Sequence, residues 1–147
     1  MPKAPLSTRL GIVGVSTFLF LLACGLPALE FTNGRVMWGW ELLIMGWTGL
    51  PSGQPAWLAN PILWLSWLLT LVSRELAAGI LATLGLLVGS VTLRLYADAL
   101  PGDEAGVTML HLQQVKMGFN LWMTSLLAVV MGSFVLRLQR LRLASLK

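Results

Sequence analysis

Four long apolar stretches decide what this chain can fold into: about Leu10 to Leu29, about Ala56 to Val72, about Leu76 to Leu95 and about Met117 to Leu136. Each comes close to the ~20 residues that carry a helix across ~30 Å of hydrocarbon. In lipid every backbone N–H and C=O must be satisfied within the segment, so stretches of this kind are expected to be helices. Charge agrees with that reading. Only 11% of the 147 residues are charged, against about 25% in a soluble domain, too few to cover a surface in water. Seven Trp accompany a single Tyr, and indole favours the membrane–water boundary, where the ring is buried and the N–H stays wet.

A fifth apolar piece, Val36 to Leu50, is shorter and carries Glu41. Lys and Arg decide whether it crosses. With four spans and the amino terminus inside, Lys3, Arg9, Arg74, Arg137, Arg140, Arg142 and Lys147 lie on the inner side and Arg35, Arg94 and Lys116 on the outer, seven against three. A fifth crossing would leave four inside and six outside, against the positive-inside rule. The expected fold is therefore all-α, a single transmembrane four-helix bundle. A short Trp-rich interfacial or re-entrant helix, residues 36–50, lies between the first two spans, and a basic cytoplasmic tail covers 137–147. Trp38, Trp40, Trp47 and Trp57 are expected to anchor that helix at the outer interface. The expected place is a bacterial-type inner membrane, crossed several times, with both termini cytoplasmic.

The boundaries carry turn chemistry. Asn33-Gly34 is a turn signal and Pro51 to Pro55 breaks any helix. Asn60-Pro61 reads as a cap followed by proline in a first turn, with a start near Pro55 and a kink at Pro61 as the alternative. Ser73 is expected to cap the third helix, with Glu75 at its positive end. One polar loop runs from about Tyr96 to Lys116, and Thr108 is expected to start a helix leading into the fourth span.

Few residues invite chemistry. Leu21-Leu22-Ala23-Cys24 after two basic residues resembles a lipoprotein signal, in which Cys24 is lipidated. The apolar run continues to Leu29, however, as a retained span would. Glu41 inside an apolar stretch reads as a proton or cation site, or as an interfacial residue in the headgroup zone. Gln113, Lys116 and Asn120 would share one helical face, lining a polar cavity or hydrogen-bonding a neighbouring helix. His111, the only histidine, has Asp98, Asp103 or Glu104 near it for a metal and Met109 or Met117 for a haem, at no diagnostic spacing. Ala78, Ala82, Gly85 and Gly89 form one face of the third helix with a GxxxG, for docking a second copy or partner, or for packing within the bundle. No P-loop, HExxH, CxxC or GxSxG is present, so no catalytic residue and no cofactor are expected. The basic residues sit at span ends, which argues for orientation and not nucleic acid.

Gly39-Trp40-Glu41-Leu42-Leu43, Gly46-Trp47 and Ala56-Trp57-Leu58-Ala59-Asn60-Pro61 resemble a pattern in small bacterial inner-membrane proteins, over about a quarter of the chain. The resemblance implies no activity. It does imply that Trp47, Trp57, Asn60 and Pro61 form one structural unit. The functional expectation is a non-enzymatic membrane protein acting through helix–helix contacts, such as an accessory or immunity-type protein. It would work as a homo-oligomer or with a membrane partner. Small multidrug transporters are similar only in size, since the first span here has no charge between Arg9 and Glu30. The alternatives are a small oligomeric transporter using Glu41, Gln113 and Asn120, and a membrane enzyme or haem protein.

Overall fold

A computed structural model of the chain describes residues 5–101 and 109–145. Lys3, Asp103, Glu104, Thr108 and Lys147 lie outside them. Helix α1 covers Leu6–Cys24, α3 Ala59–Leu71, α4 Glu75–Ser90 and α5 Met117–Ser145. A short α2, Gly39–Met45, sits between α1 and α3. Packing runs from α1 to α5, from α5 to α4 and from α4 to α3, and α3 touches α1. The chain reverses at each connection, so residues 5 and 145 come to the same end of the molecule. Among the described residues, three helical segments are long and apolar enough to cross a bilayer: Leu6–Cys24, Glu75–Tyr96 and Met117–Arg142. Helix α3 is not among them: it has 13 residues and is extended by the four of the 3₁₀ turn Pro55–Leu58 that precedes it.

The helical body is apolar outside and carries its small polar groups inside. Phe18, Leu68 and Leu87 are 60–62% exposed, whereas Ser16, Ser66 and Ser125 are completely buried. This is the arrangement expected where lipid is the solvent, and it marks the chain as a membrane protein. Several of these buried hydroxyls donate to backbone carbonyls. Ser66 Oγ donates to the Ile62 carbonyl and Thr70 Oγ1 to that of Ser66. Ser16 Oγ donates across to the Ser125 carbonyl at 2.7 Å while accepting from Trp67 Nε1 at 2.8 Å, which ties α1, α3 and α5 together.

The all-α expectation needs correction at one end. The first apolar run does not stay helical to Leu29: α1 stops at Cys24, and Pro27–Phe31 is strand β1. It pairs antiparallel with β2 (Val36–Trp38) and with β5 (Leu112–Val115) in the order β2-β1-β5. A second pair joins β3 (Leu100–Pro101) to β4 (Met109–Leu110). The polar loop thus supplies strands, and α5 begins at Met117 with no lead-in helix over 112–115. Residues 36–50 are not one helix either, but β2, α2 and the start of a 3₁₀ turn, Gly46–Ser52. Ala28, Leu29, Phe31, Leu95, Leu110, Leu112 and Phe119 form a core under the sheet. It is separate from the core of Phe20, Ala59, Leu63, Ala82, Leu126 and Val129 between the helices. Trp122 and Met123 pack against both.

Candidate functional site

Between the two cores lies a mostly apolar cavity of about 270 Å³. Its floor is Phe20 and Trp122, one wall is the sheet through Leu29 and Phe31, and α2 with the following 3₁₀ turn roofs it. Of its polar lining, Arg35, Thr48 and Ser52 are exposed, Glu41 and Gln54 half-buried, and Asn60 and Thr92 buried.

The roof is held by backbone contacts that only glycine allows. A Cβ on Gly39 would run into the Ala23 carbonyl and the Cys24 backbone, and the Gly39 N–H donates to the Leu26 carbonyl at 3.0 Å. The start of α2 is thereby pressed onto the end of α1. Gly118 does the same for α5, where a Cβ would meet the Leu26 and Pro27 carbonyls at 2.8 Å. Neither glycine stands out in sequence, because each contact joins segments distant along the chain or separated by a strand.

Glu41 borders the cavity, but its carboxylate serves the fold. Oε2 accepts the Trp38 backbone N–H at 2.7 Å, closing the first turn of α2. Gln113 is exposed on β5 and Asn120 is exposed on the first turn of α5. Neither lines the cavity, so the three polar residues are not brought together. The shared helical face fails because Leu112–Val115 is a strand. Lys116 instead pairs with Glu30 of β1, pinning the sheet to the start of α5. His111 is exposed between β4 and β5, and its carbonyl accepts the Thr32 N–H at 3.0 Å. Met109 and Met117 are about 60% exposed, at 58% and 62%. Among the described residues no three His, Cys, Asp or Glu side chains converge.

Trp38, Trp40 and Trp47 are exposed around the roof. Trp57 is turned inward: Nε1 donates to the Leu43 carbonyl at 2.8 Å and its ring lies against Gly46. Asn60 is not the cap of α3 but sits inside its first turn, 6% exposed, where Oδ1 accepts Trp122 Nε1 at 2.9 Å. Cys24 ends α1, half-buried in the cavity wall.

The small-residue face of α4 is used within the chain. Ala78 and Ala82 are completely buried. A Cβ on Gly85 would fall 2.7 Å from Leu126 on α5 and 3.0 Å from Ile62 on α3, and one on Gly89 would fall 3.0 Å from Met123. That face is therefore not free for a second molecule.

The opposite end of the molecule is closed by charge. Ser73 does not cap α4. It ends α3 in the left-handed conformation at φ 63°, with Arg74 N–H donating to the Leu69 carbonyl and Ser73 N–H to that of Thr70, a Schellman termination. Arg9 of α1 donates through Nη1 to the Leu71 carbonyl at 2.6 Å and to Ser73 Oγ at 2.7 Å, placing a cation on the negative end of α3. Glu75, in the first turn of α4 and 3% exposed, accepts Arg140 Nη1 of α5 at 3.1 Å.

Comparison with protein-family models, with curated proteins and with solved structures gives no match.

Proposed function

We propose that this chain is a non-enzymatic protein of a bacterial-type inner membrane that crosses the bilayer four times, with both termini cytoplasmic. It acts as an accessory or assembly subunit whose working end is the sheet-and-cavity cap on the outer face. The fourth crossing is α3 with its preceding 3₁₀ turn, about 27 Å long at ~1.5 and ~2.0 Å per residue, close to the hydrocarbon thickness. The orientation is supported by the cluster of Arg9, Arg74, Arg137, Arg140 and Arg142 at the end away from the sheet.

One observation carries the functional reading: the cap encloses an apolar cavity of about 270 Å³ whose bordering carboxylate, Glu41, is engaged with the backbone of α2. Apolar, concave and largely pre-formed, such a space is built to bind. The small-residue face of α4 is filled internally, which leaves the cap and the exposed apolar sides of α1, α3, α4 and α5 for a partner. Transport through Glu41, Gln113 and Asn120 has no common lining to rest on.

Native gel electrophoresis of membranes from the natural host tests the accessory role. The tagged chain is expected to migrate as a complex well above its 16.0 kDa mass. Migration as a lone chain under mild detergent would overturn it.

A further inference from the structure

We infer that the cap cavity holds one acyl chain of a membrane phospholipid with an anionic headgroup, the headgroup lying against Arg35. This rests on the cap being the lipid-contacting outer end.

The volume comes first. An apolar cavity of ~150 Å³ stays dry and takes up benzene. This one is about 270 Å³, room for an extended segment of alkyl chain. Left empty it would forfeit dispersion contacts along its whole lining, and the nearest abundant apolar matter is the leaflet around the helices.

The cavity offers a phospholipid apolar side chains for its tail and a cation for its headgroup, and the buried Asn60 in its lining is already occupied by Trp122. Phe20 and Trp122 form the apolar floor. Thr48 and Ser52 are exposed, and so is Arg35, whose guanidinium makes no ion pair among the described residues. Gln54, in the wall, has a buried Oε1 with no hydrogen-bond donor. A cation at the mouth together with an unanswered acceptor fits a headgroup that presents a phosphate and a hydroxyl. Phosphatidylglycerol has both. The indoles of Trp38, Trp40 and Trp47 are exposed on the segment that roofs the cavity, and indole favours headgroup depth, which places the cap near the headgroups.

The test uses the full-length protein in maltoside detergent, titrated with phosphatidylglycerol bearing a dibrominated acyl chain. Trp57 and Trp122 line the cavity, and bromine quenches indole on contact. Saturable quenching at one lipid per chain is expected. The dibrominated phosphatidylcholine should bind about fivefold more weakly, the effect of one cation near a headgroup. Arg35→Glu, at an exposed position, should abolish that preference. Ala56→Phe, which fills part of the cavity, should weaken binding on the order of a hundredfold through the methylenes it displaces.

Three results would overturn the inference. One is quenching that rises without saturation and equally in every variant. Another is a preference for phosphatidylglycerol that survives Arg35→Glu. The third is dibrominated stearate binding more tightly than the phospholipid. Should Ala56→Phe fail to fold, Arg35→Glu still decides. The native-gel result is independent of lipid occupancy, so failure of the accessory role and failure of the lipid site are read separately.

Discussion

The two cores of this molecule obey opposite polarity rules. Between the helices, Ser16, Ser66, Thr70 and Ser125 are fully buried while Phe18, Leu68 and Leu87 face outward. Under the sheet, Leu29, Phe31, Leu110 and Leu112 are buried while Thr32, Asn33, Arg35, His111, Gln113 and Gln114 are exposed. The first pattern suits lipid and the second suits water. The exchange happens near Trp122, which packs on both cores and donates to Asn60. The solvent boundary is thus written into the packing, and the cavity lies at that boundary. The two ends also close by different means: glycine-permitted backbone contacts, strand pairing and the Lys116–Glu30 pair at the cap, Arg9 on the end of α3 and the Arg140–Glu75 pair at the other.

Breaking the cap gives the largest expected effect. Gly39→Ala forces a Cβ into the Ala23 carbonyl, which flexible side chains cannot relieve. It should cost about 3 kcal/mol and expose the connections to protease while circular dichroism shows the helical body intact. Simultaneous loss of both would merge the two regions into one cooperative unit.

Next comes the charged end. Glu75→Ala removes the carboxylate that meets Arg140 at 3.1 Å and should cost about 2–3 kcal/mol, because the carboxylate is buried and the arginine only partly so. The loss should appear in thermal unfolding in detergent, with lipid binding at the cap unchanged. Trp67→Phe removes the donor to Ser16 together with part of the ring packed on Phe20 and should cost about 1–2 kcal/mol. Glu41→Gln weakens one helix-start contact and should cost about 0.5–1 kcal/mol, read as local protease sensitivity in 36–52. A loss of several kcal/mol there would mean that Glu41 does more than cap α2.

The helical body was legible in sequence because hydropathy over twenty residues reports the solvent directly. The expected ranges for the third and fourth spans match α4 with its 3₁₀ extension and α5 to within a few residues at their starts. The cap was not legible, for a physical reason. Ala28, Leu29 and Phe31 are as apolar in a strand as in a span; β2 lies just across the Asn33-Gly34 turn, but the second partner of β1 is β5, more than eighty residues away. Asn60-Pro61 carried a cap signal, but Asn60 is occupied by Trp122 of α5, a tertiary contact no local rule contains. Glu41 attracted a proton-carrier reading because its neighbours are apolar. Its spacing of three from Trp38, a capping distance, was the signal that explains it. The GxxxG of α4 marked a packed face but not what packs on it, which is side chains of the same molecule, Leu126 and Ile62 at Gly85 and Met123 and Trp122 at Gly89.

The central claim is that the cap faces outward and the arginine-rich end inward. Membrane-impermeant maleimide labelling of single cysteines in a Cys24→Ser background tests it in intact cells. Thr48→Cys should label from outside, and Leu141→Cys only after the membrane is permeabilised. Labelling of Leu141→Cys in intact cells, with Thr48→Cys protected, would contradict it.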